Sequence, residues 1–318
     1  MSYRIDAGAP ICDEVARIGV EQIHEAIAVL EAGRAKRDGG AHEARKRFKR
    51  LRGLLRLVPD AVPDFRRQQE RRIKEIADGL SAIRDATAMI EAIDRFVRKA
   101  GEPEGIDHLV ALRRGLLARR DRIVRKQGSL DATIARAIES LQLAEKAFES
   151  LSFPSAPDKA AALLARGVEK TCRRARKALR KAGKKGRDKD FHALRKSIKY
   201  HEMHLQLLGD VHPAMLKERW KKVEKLGDRL GDLHDIPVLS ETIDNERIGD
   251  KADRKFALGM MGRKRKKLGA ECLEDAERLF RAPPQEIARD IAIQYALASA
   301  KLEQAKPVSG PKRGTAQA

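Results

Sequence analysis

Shifted by 150 positions, this 318-residue chain falls on itself without a gap. AGRAKRD (32–38) meets AGKKGRD (182–188), HEARKRFK (42–49) meets HALRKSIK (192–199), and DGLSAIRD (78–85) meets DRLGDLHD (228–235). His42/His192, Arg45/Arg195, Lys46/Lys196, Lys49/Lys199, Leu80/Leu230 and Asp85/Asp235 recur at that one offset. Any two Lys/Arg-rich helices share letters, but one register maintained from about residue 28 to 85 predicts a tandem duplication. The expected layout is a first half at 1–151, a linker at 152–158 (SFPSAPD), a second half at 159–305 and a disordered tail at 306–318.

Each half reads as helical. Ala, Leu, Arg, Lys and Glu abound and β-branched alternation is almost absent. The apolar periodicity predicts helices at 11–33, 42–58, 64–100, 104–127 and 129–151, then at 158–182, 190–209, 212–246, 250–281 and 284–304. Gly33, Pro59, Pro63, Gly101, Pro103, Gly128, Gly183, Gly209, Pro213 and Pro283–Pro284 fall at the breaks. The expectation is an all-α protein of two pseudo-symmetric, four-helix-type bundles. No apolar run approaches the roughly 20 residues of a membrane span, and the first residues carry no secretory-signal pattern. Cys12, Cys172 and Cys272 lie too far apart for a disulfide framework or zinc ribbon, which suits a reducing, cytoplasmic setting.

The charge is concentrated. The net charge is +21, of which residues 34–56 carry +8 and residues 166–199 carry +12. At 100° per residue His42, Arg45, Lys49, Arg52 and Arg56 share a face, with Phe48, Leu51, Leu55 and Val58 opposite. His192, Arg195, Lys196 and Lys199 likewise oppose Leu194, Ile198, Leu205 and Leu208. Arg166, Lys170, Arg173, Arg174, Lys177, Lys181 and Lys184 make a third stripe, backed by Val168, Cys172, Ala175 and Leu179. Like charges at i,i+4 each cost about 0.2–0.5 kcal/mol, a penalty that an anionic ligand removes. A solvated face normally mixes its signs, so the expected partner is a polyanion.

The residues leave a phosphate polymer, nucleic acid and an acidic protein surface open. Against nucleic acid stand the few aromatics and the lack of any zinc-finger, basic-zipper or RNP-like pattern. What remains is a surface that neutralises phosphates with Lys point charges, Arg forks and adjacent His donors. RKRKK (263–267) either extends that surface or is simply a solvated helical segment.

The H-x-x-R-K-x-x-K motifs and the L-x-x-(I/L)-x-D segments resemble the CHAD domain, the conserved histidine α-helical domain, over about residues 5–300. The resemblance implies basic helices facing a shared central groove, binding of inorganic polyphosphate, and association with polyphosphate granules. Carried over, it assigns His42, Arg45, Lys46, Lys49, Arg50 and Arg52 to the first site, and His192, Arg195, Lys196 and Lys199 to the second. Arg56 joins on the shared face, and the Arg166, Lys170, Arg173, Arg174, Lys177 and Lys181 stripe supplements the second copy. There Tyr200 and Glu202 stand opposite Arg50 and Arg52, a departure at the far edge of the motif. Asp85 and Asp235 read as packing partners of basic side chains. Nucleic acid is the alternative partner.

Catalysis is not expected. The E-x-E-x-K strand motif of the triphosphate-tunnel domain often fused to such proteins has only E-P-E-G-I (102–106) as its nearest match, with Ile106 in place of Lys. No P-loop exists, and no carboxylate cluster for Mg²⁺ accompanies His42 or His192. His201 and His204 lack zincin spacing and read as interfacial histidines. No cofactor or metal is expected.

Overall fold

The computed structural model describes residues 3–33, 37–98, 103–126 and 130–305. Among these it forms eleven α-helices and no strand. The first six are α1 (Ile11–Ala32), α2 (Arg37–Leu57), α3 (Pro63–Gly79), α4 (Ser81–Val97), α5 (Pro103–Lys126) and α6 (Leu130–Glu149). The rest are α7 (Pro157–Lys185), α8 (Asp188–Leu207), α9 (Pro213–Asn245), α10 (Lys251–Leu279) and α11 (Pro284–Ala305). The tail at 306–318 and the breaks at Gly101 and Gly128 lie outside the described residues.

Three boundaries differ from the periodicity. Residues 64–100 are not one helix, because the ladder stops at Leu80 (φ −100°, ψ 9°), which is buried and separates α3 from α4. The pull of a buried leucine on the core leaves no punctuation in the sequence beyond Gly79. α2 starts at Arg37 because Gly33 and Gly40 let the α1–α2 return close tightly. A Cβ on Gly33 would stand 2.6 Å from the Gly40 Cα. α7 passes through Gly183 and stops at Gly186 (φ +60°), whose left-handed backbone returns its N–H to the Ala182 carbonyl. Pro63, Pro103, Pro157, Pro213 and Pro284 open helices where a missing N–H costs nothing.

α1 packs on α2 and α6, α7 packs on α8 and α11, and α9 bridges α8 and α10. Between the two series α2 crosses α8, α4 lies on α9, and α5 lies on α10. The predicted apolar faces are the ones buried: Phe48, Leu51 and Leu55 on α2 with Val58 just past its end, and Leu194, Ile198 and Leu205 on α8 with Leu208 just past its end. One apolar core runs through both series, so removing a fully buried leucine costs about 2–5 kcal/mol. All three cysteines are buried and free, and burial pushes the Cys172 and Cys272 thiols up to about 12. No helix among the described residues is long and apolar enough to cross a membrane.

Candidate polyanion interface

Burial of one face of α2 determines where the other points. His42, Arg45, Lys49, Arg52 and Arg56 share the flank from which Arg45 and Arg56 reach α3. Arg45 donates to the Ala77 carbonyl (3.0 Å), and Arg56 pairs with Glu70 (2.9 Å). His42 is partly exposed, and its Nε2 is 3.9 Å from the Glu43 carboxylate that Lys46 also contacts. Lys49 is exposed and Arg52 half-buried.

The α7 stripe meets the end of α2. A Cβ on Gly167 would stand 1.9 Å from the Leu57 carbonyl, so only glycine lets α7 lie against the last turn of α2. Arg166 and Lys170 then reach Asp60, just beyond α2. Arg174 comes beside Arg56 and Arg66, and burial together with those two charges lowers its pKa. Lys177 and Lys181 are exposed, whereas Arg173 is tied to Glu169. The guanidinium of Arg56 lies 4.4 Å from the centre of the Tyr200 ring. Tyr200, which breaks the motif pattern, is therefore a cation platform.

On α8, His192, Arg195 and Lys199 are half-buried in the seam with α9, while Lys196 is exposed. The His192 ring lies 4.5 Å from that of His234, and a Cβ on Gly231 would stand 3.7 Å from Arg195. Lys199 contacts Glu202 (2.9 Å) and Asp228 (3.0 Å); burial opposes its charge, but the two carboxylates hold its pKa above the usual lysine value. Burial first, then His234, Lys196 and Arg195, push His192 down to about 4, so it is neutral at pH 7. Burial and Arg195 lower His234 as well.

These seams join. α2 packs on α4, α4 on α9, α9 on α8, and α8 back on α2, a closed ring of four helices. Arg95 of α4 ties the ring to Asp232 (3.1 Å) and Asp235 (2.6 Å) of α9, which is the packing role read for Asp235. Asp85 is exposed. Around the ring and its α3 flank, the Nε of Arg52, Arg56, Arg66 and Arg195 and the Nδ1 of His192 are enclosed without a hydrogen-bond partner. Buried polar groups are normally paired; the oxygens Glu70 Oε1 and Glu202 Oε2 are enclosed without a hydrogen bond in the same region, beside Arg56 and Lys199, so the unpaired nitrogens outnumber the unpaired acceptors there.

Arg50 stands apart. It projects from a different side of α2, lies over the Tyr3 ring (5.1 Å) and reaches Gln22. Arg66 and His234 are the additions that sequence reading did not assign. His234 was visible beside the repeated Asp235, but nothing in its local sequence ties it to His192. In RKRKK, Arg265 is held by Asp188 and the Gly186 carbonyl, and the segment lies on α10, which is outside the ring.

His201 and His204 sit inside the α8 interface. His204 donates from Nε2 to the Gly53 carbonyl of α2 (3.1 Å), and His201 Nε2 accepts from Arg219 (3.0 Å). Burial pushes His204 down to about 3 and His201 well below its usual value. Among the described residues no group of three or more His, Cys, Asp or Glu is gathered for a metal.

The CHAD domain family model matches residues 20–244, from within α1 to the end of α9. This is narrower than the 5–300 of the motif resemblance and leaves α10 and α11 outside. No curated protein matches the chain.

Proposed function

This chain belongs to the CHAD domain family, and from that premise we propose that it binds inorganic polyphosphate without catalysing a reaction. The observation that carries the reading is the set of enclosed, unpartnered nitrogens on Arg52, Arg56, Arg66, Arg195 and His192. A phosphate chain presents acceptor oxygens at every unit, and charge-assisted bonds to Arg are about twice as strong as neutral ones. His42, Arg45, Lys49, Arg52 and Arg56 would engage one stretch of chain. Lys170, Arg174, Lys177 and Lys181 would engage a second, and His192, Arg195, Lys196 and Lys199 a third. Such binding would bring the protein to polyphosphate granules in the cytoplasm.

A pseudo-symmetric origin of the two halves supports one polymer crossing both. Under the same shift of 150, Pro63 falls on Pro213 at the start of α3 and α9, and the end of α2 falls on the end of α8.

Calorimetric titration with long-chain polyphosphate, and in parallel with duplex DNA and RNA at physiological salt, tests the proposal. Polyphosphate is expected to bind at least tenfold tighter than either nucleic acid. Equal binding to all three would reduce the site to undirected positive charge, and tighter nucleic-acid binding would favour the alternative partner.

A further inference from the structure

Away from the ring, a half-open cavity of about 450 Å³ lies where the N-terminal segment, α2, the end of α8 and the start of α9 meet. It falls within the roughly 300–1,000 Å³ of ordinary small-ligand pockets. Arg4, Arg50 and Lys217 line one part of it, and Leu205, Pro213 and Leu216 line another, with Trp220 at its wall. We propose that this cavity binds a small organic phosphate of nucleotide type, an anionic head on a flat apolar body.

The cations call for the head. Arg50 is half-buried and contacts the Tyr3 ring and the Gln22 side-chain oxygen at 3.4 Å, a long contact, with Glu25 and Glu43 as lesser electrostatic neighbours. Burial, and then Arg47, lower its pKa against the smaller opposing effects of Tyr3, Glu25 and Glu43. Arg4 is matched by Asp210, while Lys217 is exposed on the rim. The guanidinium of Arg4 is seated against Gly209, where a Cβ would stand 3.1 Å from its Nη1. Two guanidinium forks and an ammonium around one space suit phosphate oxygens.

The frame is rigid. The Tyr3 hydroxyl donates to the Arg50 carbonyl at 2.6 Å and is kept neutral by burial, which pins the N-terminal segment to α2. The apolar side has room for the body: Pro213 is exposed there and Trp220 partly so, backed by the core residues Leu205 and Leu216. Trp220 adds an indole whose Nε1 is enclosed and has no hydrogen-bond partner, and this wall suits a flat ring.

Trp220 is the only tryptophan, so the site carries its own reporter. The full chain would be titrated with ATP, adenosine and inorganic triphosphate at physiological salt, following tryptophan emission and heat. ATP is expected to give a saturable signal, with adenosine and triphosphate each at least tenfold weaker. Lys217→Ala and Arg50→Ala are each expected to weaken ATP at least fivefold. Lys217 is exposed, so its loss tests the site even if Arg50→Ala unfolds. No saturable ATP response by either readout would overturn the proposal. So would triphosphate that matches ATP, or a Lys217→Ala variant that binds ATP normally.

The inference stands independently of polyphosphate binding. Arg195→Ala should weaken polyphosphate yet keep the ATP response, and Lys217→Ala should keep polyphosphate affinity. Failure of one reading therefore leaves the other measurable.

Discussion

The imidazole of His192 on α8 packs against that of His234 on α9, with ring centroids 4.5 Å apart and planes inclined by 39°. Arg195 and Lys196 add positive charge from α8, and Asp235 and Asp188 partly offset it at His234. Two neutral imidazoles amid cations make a reserve of charge that an anion can call up. Bound phosphate would raise both pKa values, and each proton taken up would strengthen binding. Polyphosphate affinity is therefore expected to rise severalfold from pH 7.5 to pH 5.5. Calorimetry in two buffers of different ionisation enthalpy would count the protons, and His192→Gln should remove most of the uptake. Affinity independent of pH would contradict this role.

The buried pair His201 and His204 governs stability in the opposite sense. Their folded-state pKa values lie below the ordinary 6.5, about 3 for His204. Their contribution is whole above pH 6.5 and is lost as pH falls toward the folded values, because the unfolded chain takes up protons that the folded one refuses. Tm should fall steadily from pH 7 to pH 4.5, before most carboxylates titrate. A Tm flat across that window would show that these histidines are not held neutral.

Glu202 restrains the second copy of the motif. It holds Lys199 at 2.9 Å where the first copy carries Arg52. Glu202→Gln is expected to leave that lysine with Asp228 as its one carboxylate partner of the two and tighten polyphosphate binding by about threefold to tenfold, in line with a charge-assisted contact of about 1 kcal/mol. Calorimetry at 50 and 150 mM salt would check it, and weaker binding would remove Lys199 from the interface.

Arg45→Ala with Lys49→Ala tests the first copy. Binding is expected to weaken at least tenfold, with a shallower dependence on salt. Loss of the Arg45 bond to the Ala77 carbonyl should cost about 0.5–1.5 kcal/mol of stability. Urea unfolding would separate the two effects, and unchanged binding at physiological salt would exclude this face of α2.

Gly167→Ala tests the geometry that brings α7 to α2. The methyl carbon would stand 1.9 Å from the Leu57 carbonyl, so the helices must part at a cost of about 1–3 kcal/mol. The variant should lose polyphosphate affinity although no cation is removed. Normal affinity would mean that the α7 stripe acts without α2.

The helices and their faces were legible because helical periodicity is local. Phe48, Leu51, Leu194 and Ile198 had to be buried once their stretches were helical, and that alone turned His42 and His192 to the other side. The stop at Leu80 was not legible, since burial of that side chain is a tertiary event. Arg50 shows the limit of motif transfer: it sits inside the repeat, yet at 100° per residue it projects from another side of α2, over Tyr3 and toward Gln22. Tyr200 shows the reverse, a departure from the motif that the fold turns into a platform for Arg56.

By itself the sequence determined the all-helical class, the concentration of positive charge in two stretches, and the side of each helix that carries it. These follow from helix propensity and the 3.6-residue period, which act over a few neighbouring residues. Only the tertiary structure decided which cations meet. Arg174 beside Arg56, His192 against His234 and Lys199 between two carboxylates depend on helix crossings, and those are governed by close packing at positions such as Gly167 and Gly53. Packing is a contest among distant side chains for the same volume, and no single stretch of sequence contains both contestants.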